Sequence, residues 1–486
     1  MSVSSENLGQ KREVAKPDLA SKKDYFRHKN VLNALSSEFS QKVVGEQHNI
    51  ETALCALISK DLPKDYRFSI MTINKSSTGK SYFWKHLLAP FVDDVIDLTC
   101  GTDAFFKRSL GMVNGKIIKI EQLETKDDKG RLAFGLLKHL MSEGKINAGL
   151  VDTDEHGRKK PITLNVIGIP IIITTATSND IDSETENRFL IMELDEGETQ
   201  TQLIINHILK SFSTGHKNQE WYNTVENLKE FFKTLKQHAH HIDSILIPFS
   251  VKIDPLLPKN VEMRRDIDKI MSITATIAFL NHKNRDKFKC LKPEHMITSR
   301  YADTEEVHKA ILIARPEDFV QAVEIASDSI SRTLSKTSLK TREIHQKLKE
   351  LFNQDGLNDL GVGLKELTEA FEGKYPETTI RDHLKMLRNS GHVLRDETNR
   401  DYKYYPLNKK FTHLAHTNVV WTSDEYLEWI NHNLDKHTHS FVTSLDSPID
   451  SNLCLKTPKE VAKSSFVGFR NIGKISLGEG KVVQDE

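Results

Sequence analysis

The sequence has no net charge, because its 68 basic residues balance 68 acidic ones. No field of the whole molecule therefore favours nucleic acid or a membrane, and any basic binding surface must be local. The four cysteines, Cys55, Cys100, Cys290 and Cys454, are far apart and form no CxxC pair. This spacing argues against zinc and disulfides and indicates buried thiols in a reducing compartment.

Long apolar segments are also missing. The longest apolar run, around residues 166–173, is far too short to span a bilayer. Residues 1–16 are polar and lack the apolar segment of a signal peptide. We therefore expect a cytoplasmic protein that makes no membrane contact.

The 486 residues leave room for two to four domains. Residues 67–196 alternate short apolar strands with helices, which predicts an α/β domain with a mostly parallel sheet. Its expected strands are 68–73, 95–98, 116–120, 169–174 and 189–194. The flanking regions are a disordered tail (1–24), helices (25–66), a helical lid without strands (197–335), a separate module (336–408) and a C-terminal extension (409–486) that includes a capped helix at 423–434.

The central motif lies at residues 67–81, where a β-branched strand leads into a polar loop that ends in Gly79-Lys80-Ser81 and continues as a helix. Such a strand, loop and helix predict a phosphate site in which loop amides surround the phosphates, Lys80 reaches the β/γ oxygens and Ser81 holds Mg²⁺. The alternative is a Ser/Gly turn with an unrelated lysine. The predicted nucleotide-binding residues are Asn74, Lys75, Ser76, Ser77, Thr78, Gly79, Lys80 and Ser81.

Asn74 departs from the motif, which has glycine six residues before the lysine. Asparagine tolerates left-handed backbone angles better than other non-glycine residues, so we expect the loop to survive the change.

An acidic residue at the end of a neighbouring strand must position the metal in such a site. Glu121 ends the strand at 116–120 and is the predicted Mg²⁺ ligand. Gln122 follows, where the acid that activates water usually stands, so Glu124 or another group replaces it or hydrolysis is slow. The alternative is a strand that ends in ordinary surface acids.

Residues 146–168 predict a hairpin that turns at His156-Gly157 and carries Arg158, Lys159 and Lys160 just past its tip. In a ring ATPase such lysines grip nucleic-acid phosphates in the central pore. The alternative is a solvated surface hairpin.

Two further groups are candidates for catalysis. Thr174 or Thr175, at the end of a buried strand, can sense the γ-phosphate, and Arg188 at the start of the last strand can reach a neighbouring subunit's nucleotide. The alternatives are threonines that cap a strand and a solvated arginine.

Residues 341–352, 364–371 and 377–389 predict three helices that precede a hairpin at 393–407. The third helix carries a basic stripe, Arg381, Lys385 and Arg388, and the hairpin tip carries Arg400. This arrangement predicts a winged helix that contacts duplex DNA, or a winged helix that serves as a protein-interaction module.

The order of these motifs resembles that of AAA+ ATPases over residues 40–335. It is most similar to ring helicases with a hairpin before the sensor-1 strand, such as minichromosome-maintenance helicases, and to the helicase-like ATPases that accompany primases on phages, plasmids and integrated elements. The shared features include residues 76–81, residues 198–201 and the Arg264-Arg265-Asp266 motif. The resemblance implies ATP and Mg²⁺ as cofactors, a sensor-2 role for Arg264 or Arg265, and a homo-oligomeric ring such as a hexamer.

The expected function is therefore that of a DNA-dependent ATPase, a ring-forming helicase or translocase of replication or of a mobile element. Single-stranded DNA would pass through the pore, duplex would bind the winged helix, and a primase or another replication protein is an expected partner. Two alternatives stay open: an ATP-switched replication initiator and a DNA-binding scaffold that does not hydrolyse ATP.

Overall fold

The computed structural model describes most of the chain between residues 23 and 442. The described residues are 23–75, 77–98, 113–121, 135, 139–153, 159–176, 188–214, 218–254, 263–290, 309–335, 339–352, 361–371, 373–389, 393–396, 402–406, 422–434 and 439–442.

A five-stranded parallel sheet forms the centre of the protein, in the order β2-β3-β6-β1-β7. Its strands consist largely of β-branched and other apolar residues, which favour extended, buried backbone. They are β1 (Ser69–Ile73), β2 (Val95–Leu98), β3 (Ile117–Ile120), β6 (Ile171–Ala176) and β7 (Phe189–Met192). Because all five run the same way, their carboxyl ends share one edge, and the predicted parallel α/β domain is confirmed.

A long hairpin lies between β3 and β6 in the chain. Its strands β4 (Lys145–Thr153) and β5 (Lys159–Ile167) pair antiparallel along their whole length, from Lys145 with Ile167 to Thr153 with Lys159. The predicted turn at His156-Gly157, and Arg158 with it, lies outside the described residues. The hairpin itself was predicted from its two β-prone arms, and it is present.

Helices cover the sheet and share its core. Helix α2 (Gln47–Ser59) is buried from Ile50 onward, as expected of a helix whose apolar residues surround most of its circumference. It packs between β1 and helix α6 (Met263–Leu280). The remaining helices of this region are α1 (Val31–Phe39), α3 (Lys80–Leu88), α4 (Glu198–Thr214), α5 (Asn218–His240) and α7 (Pro316–Ser335).

The expectation that residues 197–335 contain no strand is wrong. Strands β8 (Ile242–Leu246), β9 (Lys287–Cys290) and β10 (Ala310–Ile313) form a second, mixed sheet beside α6. Each strand has only four or five residues, and periodicity does not distinguish such short apolar runs from helix ends.

The C-terminal extension returns to this second sheet. Helix α11 (Ser423–Asn433) begins with a capping box between Thr422 and Glu425, which confirms the capped helix expected there. Strand β14 (His439–Val442) then pairs antiparallel with β9. The four-stranded order is β14-β9-β10-β8.

Between α7 and α11 the chain forms a small module with its own core. Its elements are α8 (Leu339–Phe352), β11 (Val362–Gly363), α9 (Leu364–Glu369), α10 (Glu377–Asn389), β12 (Val393–Asp396) and β13 (Lys403–Pro406). The three strands form a sheet in the order β11-β13-β12. The apolar face of α10, namely Ile380, Leu384 and Leu387, is buried against it as the sequence predicted. Among the helices that the structure describes, none is long and apolar enough to cross a membrane.

Candidate functional site

The predicted phosphate loop follows β1 at the carboxyl edge of the sheet. Its backbone turns through two left-handed residues, Ser77 with φ 68° and Gly79 with φ 90°. Gly79 then serves as the N-cap of α3, where no side chain bonds the first backbone N–H groups of the helix. Successive turns of this kind present several amides to one point, which suits an anion. In the described part of this loop, the residue other than glycine that adopts a left-handed conformation is Ser77. Asn74, for which the sequence suggested this conformation, does not have a positive φ.

Lys80 lies under the loop. Its ammonium group donates to the carbonyl of Asn74 at 2.8 Å and to that of Lys75 at 2.6 Å, and the residue is only 9% exposed. Burial lowers the pKa of Lys80, and the nearby Glu196 carboxylate opposes this shift. The lysine therefore holds the two ends of the loop together, and it must exchange these carbonyls for phosphate oxygens when a nucleotide binds.

Asn74 fixes the start of the loop to the segment that follows β7. Its side-chain amide donates to the Leu194 carbonyl at 2.9 Å and to Glu196 Oε1 at 3.0 Å, while its Oδ1 accepts from the Leu194 backbone N–H at 2.8 Å. The residue is 7% exposed. Where the motif has glycine, this chain thus has a side chain that bonds both the backbone N–H and the backbone carbonyl of Leu194.

Glu196 completes this link and was not predicted from the sequence. Besides Asn74, its Oε1 accepts the backbone N–H of Lys75 at 3.1 Å, and its Oε2 lies 3.6 Å from the Lys75 ammonium. Partial burial raises its pKa, but the hydrogen bonds from Asn74 and Lys75 outweigh that effect and leave the pKa below its usual value. The only signal in the sequence was a cluster of acids after β7, which alone does not indicate a partner.

Glu121 and the two threonines lie at the ends of the adjacent strands. Glu121 follows β3, has a half-exposed side chain and lies 3.5 Å from the Lys119 ammonium. Thr175 donates its hydroxyl to the Glu121 carbonyl, which joins β6 to β3 at this edge. The Thr174 hydroxyl is fully buried and has no hydrogen-bond partner among the described residues. Gln122 and Ser76 lie outside the described residues.

The polar groups at this edge of the sheet fit a nucleoside triphosphate with Mg²⁺. The amides of the loop and of the α3 N-terminus, with Lys80, suit phosphate oxygens. Mg²⁺ is commonly held by one or two protein oxygens together with phosphates and water, and the exposed Ser81 hydroxyl and the Glu121 carboxylate supply oxygens of this kind. No group of three or more His, Cys, Asp or Glu side chains able to hold a metal occurs among the residues described, so a site built by the protein alone is not found there.

Arg188 and Arg265 lie together at the other end of the sheet. Arg188 precedes Phe189, which pairs with Ser69 at the amino end of β1, about 15 Å of strand away from the phosphate loop. Both arginines line a cavity of about 410 Å³. The other lining residues are Asp65, Arg67, Phe68, Ser69, Met141, Ser142, Ile169, Pro170, Asp268, Lys269 and Ser272. The sheet thus separates the predicted arginines from Lys80 of the same chain, and Arg264 is exposed beside Arg265.

The predicted nucleic-acid residues lie on two separate elements. Lys159 and Lys160 are the first residues of β5, paired in the backbone with Thr153 and Asp152. On α10, Arg381 and Lys385 are exposed and Arg388 is half-buried, and the three lie along the helix beside its buried apolar face. Arg381 also pairs with Glu377 one turn earlier. Arg400, at the predicted hairpin tip, lies outside the described residues.

Of the comparisons with known proteins, a family model covers the residues that form the central sheet and the phosphate loop. A family model described as the MTBMA_p00010 P-loop domain matches residues 16–238, somewhat under half of the chain. Among solved structures, that of a full-length MCM homolog from Methanopyrus kandleri is similar, with 12% identity and a TM-score of 0.36. The alignment covers 62% of this chain and 59% of that one, and agreement at this level carries no argument about function. No curated protein matches.

Proposed function

We propose that this protein is a DNA-dependent ATPase that assembles into a ring and acts as a helicase or translocase. The observation that carries the proposal is the set of groups gathered at the carboxyl edge of the parallel sheet. There the loop with Lys80 lies beside strand ends that bear Glu121 and a buried Thr174 hydroxyl without a partner among the described residues. The match to a P-loop domain family supports nucleotide binding at this edge.

Each group at this edge has a role that its chemistry suits. Lys80 would leave the Asn74 and Lys75 carbonyls and bind the β/γ oxygens. Ser81 and Glu121 would orient Mg²⁺, which when bound supplies charge neutralisation at the transferred phosphoryl group. Thr174 or Thr175 would hydrogen-bond the γ-phosphate or orient the attacking water.

The arginines support an assembly of several chains. Arg188 and Arg265 share one cavity at the amino end of the sheet, whereas the phosphate loop lies at the carboxyl end. Neither guanidinium can serve the nucleotide of its own chain without crossing the sheet. A head-to-tail arrangement would bring this arginine face of one chain to the loop of the next, and such heterologous contacts generate rings. We infer that both arginines act in trans.

Two elements support DNA as the polymer. The hairpin β4–β5 forms a two-stranded sheet of its own, and Lys159 and Lys160 are the first residues of β5. In a ring, a central pore would place these lysines on a phosphate backbone. The module at residues 339–406 has the element order α8-β11-α9-α10-β12-β13. This order supports the winged helix that we propose, whose third helix carries the stripe Arg381, Lys385 and Arg388. We infer that this helix contacts duplex DNA.

A second candidate function is an ATP-dependent switch with little hydrolysis, either as an initiator or as a scaffold. The hydrogen bonds of the Lys80 ammonium group to the Asn74 and Lys75 carbonyls favour this switch function. Nucleotide entry must break two ammonium–carbonyl hydrogen bonds, and Asn74 and Glu196 hold the loop in its present shape.

ATP turnover by the purified full chain, with and without single-stranded DNA, distinguishes these functions. We expect turnover that DNA stimulates and that Lys80→Ala abolishes together with nucleotide binding. Arg188→Ala and Arg265→Ala should each keep nucleotide binding and lose at least tenfold in turnover, because arginines of this kind act on the transition state. Binding without turnover under every DNA condition would leave the switch as the function.

A further inference from the structure

Helix α4 presents apolar side chains to water along most of its length. Six large apolar residues on it are between 39% and 74% exposed: Leu203, Ile204, Ile205, Ile208, Leu209 and Phe212. Side chains three and four residues apart lie on the same face of a helix. Ile204 with Ile208, and Ile205 with Leu209 and Phe212, therefore form one continuous apolar stripe.

The side of α4 that is turned toward the rest of the chain is narrow and carries polar residues. Gln200 is 3% exposed and donates to the Val44 carbonyl at 2.7 Å and to Glu46 at 3.3 Å. His207 and Ser211, two and three turns further along the same side, are half-buried. A helix of a globular domain normally turns its apolar stripe to the core. In α4 the apolar stripe is exposed, as are Gln202, Asn206 and Lys210, and the side chains that are buried or half-buried are polar.

The stripe has the size and composition of an interface. Its five large aliphatic or aromatic side chains expose about half of their surface to water. Together they form an apolar patch of at least a few hundred Å², which is the size of the largest patches that monomers expose. Specific interfaces bury about 800 Å² on each partner, so α4 alone would supply a large share. Between residues 199 and 214 the sequence has one charged residue, Lys210, although 28% of the whole chain is charged.

The position of α4 indicates what covers it. The helix begins at Glu198, two residues after the Glu196 carboxylate that accepts the Lys75 N–H of the phosphate loop. It therefore leaves the core at the carboxyl edge of the sheet, beside the nucleotide site. In the head-to-tail arrangement proposed above, the arginine face of a second chain approaches this same edge. A second chain that brings Arg188 and Arg265 to the loop therefore approaches the edge at which α4 begins.

We propose that the apolar stripe of α4, Ile204, Ile205, Ile208, Leu209 and Phe212, is the surface on which a second copy of this chain docks beside the nucleotide site. The proposal rests on the proposed function for its choice of partner, since only that function requires a neighbour at this edge. It adds the element that holds the two chains together, whereas the arginines act on the nucleotide between them.

Sedimentation velocity of the full chain, over a range of concentrations and with a slowly hydrolysed ATP analogue and Mg²⁺, tests this docking surface. The test variant carries Leu209→Glu and Phe212→Glu. The matched control carries Asn206→Glu and Ser213→Glu, which add the same two negative charges to exposed positions of α4 outside the stripe. All four side chains are exposed in one copy, so both variants should keep the thermal midpoint and the ATP-analogue affinity of the wild type.

We expect the wild type and the control to self-associate and the stripe variant to sediment as a monomer. Two apolar side chains that lose their burial correspond to a loss of association of roughly 100-fold or more. A stripe variant that self-associates like the wild type overturns the proposal, and so does a wild type that stays monomeric at every concentration. A monomeric wild type whose thermal midpoint falls in the stripe variant also overturns it, because the stripe is then covered by the same chain.

The same experiment separates this proposal from the proposed function. If the wild type binds no ATP analogue yet self-associates through the stripe, the docking surface stands and the ATPase does not. If the analogue binds and Lys80→Ala abolishes that binding, while the stripe variant still forms the wild-type oligomer, the ATPase stands and the docking surface does not.

Discussion

Asn74 stands where the phosphate-loop motif has glycine. Replacing it tests whether its side chain stabilises the phosphate loop. Asn74→Ala removes three hydrogen bonds and leaves the N–H and the carbonyl of Leu194 without partners in a site where Leu194 is 5% exposed. A buried polar group that loses its partner costs about 1–3 kcal/mol. We therefore expect Asn74→Ala to lower the free energy of unfolding of this domain by about 3 kcal/mol.

Urea unfolding, followed by circular dichroism and tryptophan fluorescence, measures this loss. A chain with several modules need not unfold in one step, so the relevant transition must be identified first. It is the one that an ATP analogue shifts to higher urea, since a ligand stabilises only the domain that binds it. Trp84 on α3 is fully buried, and its indole N–H donates to the Thr72 hydroxyl of β1 at 3.0 Å, which makes it a local reporter.

Three further substitutions at and near Asn74 sharpen the test. Asn74→Gly restores the motif but should be no more stable than Asn74→Ala, because glycine supplies none of the three bonds and adds backbone freedom. Asn74→Asp keeps the acceptor for the Leu194 N–H but sets a carboxylate beside Glu196 and the Leu194 carbonyl. Its deficit should shrink as pH falls toward 4, where the new carboxyl group can donate again. Thr78→Ala, at a half-buried position of the same loop, removes one solvent-exposed hydrogen bond to the Lys75 carbonyl and should lower the unfolding free energy by less than about 1 kcal/mol.

Nucleotide affinity should follow the same order. Each loop residue that must be ordered again on binding costs about 1–2 kcal/mol, close to tenfold in affinity. Asn74→Ala should thus weaken binding of an ATP analogue by at least tenfold. An unfolding free energy within about 0.5 kcal/mol of the wild type, with unchanged affinity, would refute the role assigned to Asn74.

Two other predictions concern the body around α6. Burial lowers the pKa of His282 to about 3, so the folded protein keeps this imidazole neutral below pH 6.5 whereas the unfolded chain protonates it. The stability from this group should be fully present above pH 6.5 and decline toward pH 3, by up to about 5 kcal/mol. His282→Asn should flatten that part of a pH series of urea midpoints. Arg285 makes two hydrogen bonds to the Asp318 carboxylate, at 2.9 and 2.6 Å, and both side chains are almost fully buried. Asp318→Asn should cost about 3–5 kcal/mol of unfolding free energy, whereas Glu317→Gln, at a half-buried neighbour 3.8 Å from Arg285, should cost less than about 1 kcal/mol.

The central sheet could be predicted from the sequence because its strands carry a local signal. The expected strand at 95–98 coincides with β2, and the other four begin within two residues of the observed starts. Buried parallel strands are short runs of β-branched residues, and the Gly-Lys-Ser sequence fixes which edge holds the loop. Local chemistry alone was sufficient here.

The remaining features depend on contacts distant in sequence. Strand β10 becomes a strand only because β8 and β9 lie on either side of it, so its four residues give no pattern of their own. Glu196 acquires its role from Asn74, 122 residues earlier in the chain. Arg188 and Arg265 could be named as candidates from the sequence. That they line one cavity could not be predicted, because it depends on where β7 and α6 begin in the folded chain.

The second sheet also decides how the module at residues 339–406 is attached. Tyr426 of α11 is buried and donates to Asp286 at 2.6 Å, Lys252 pairs with Glu425, and β14 pairs with β9. The chain therefore enters the module from α7, which packs on α6, and afterwards returns to the same body through α11 and β14. A truncation after residue 408 would remove one strand of the sheet and expose the apolar surface around Phe288 that α11 covers. The module is thus an insertion rather than a terminal tail, so the contact with duplex DNA that we propose for it has to be tested in the full chain by changing Arg381 and Lys385.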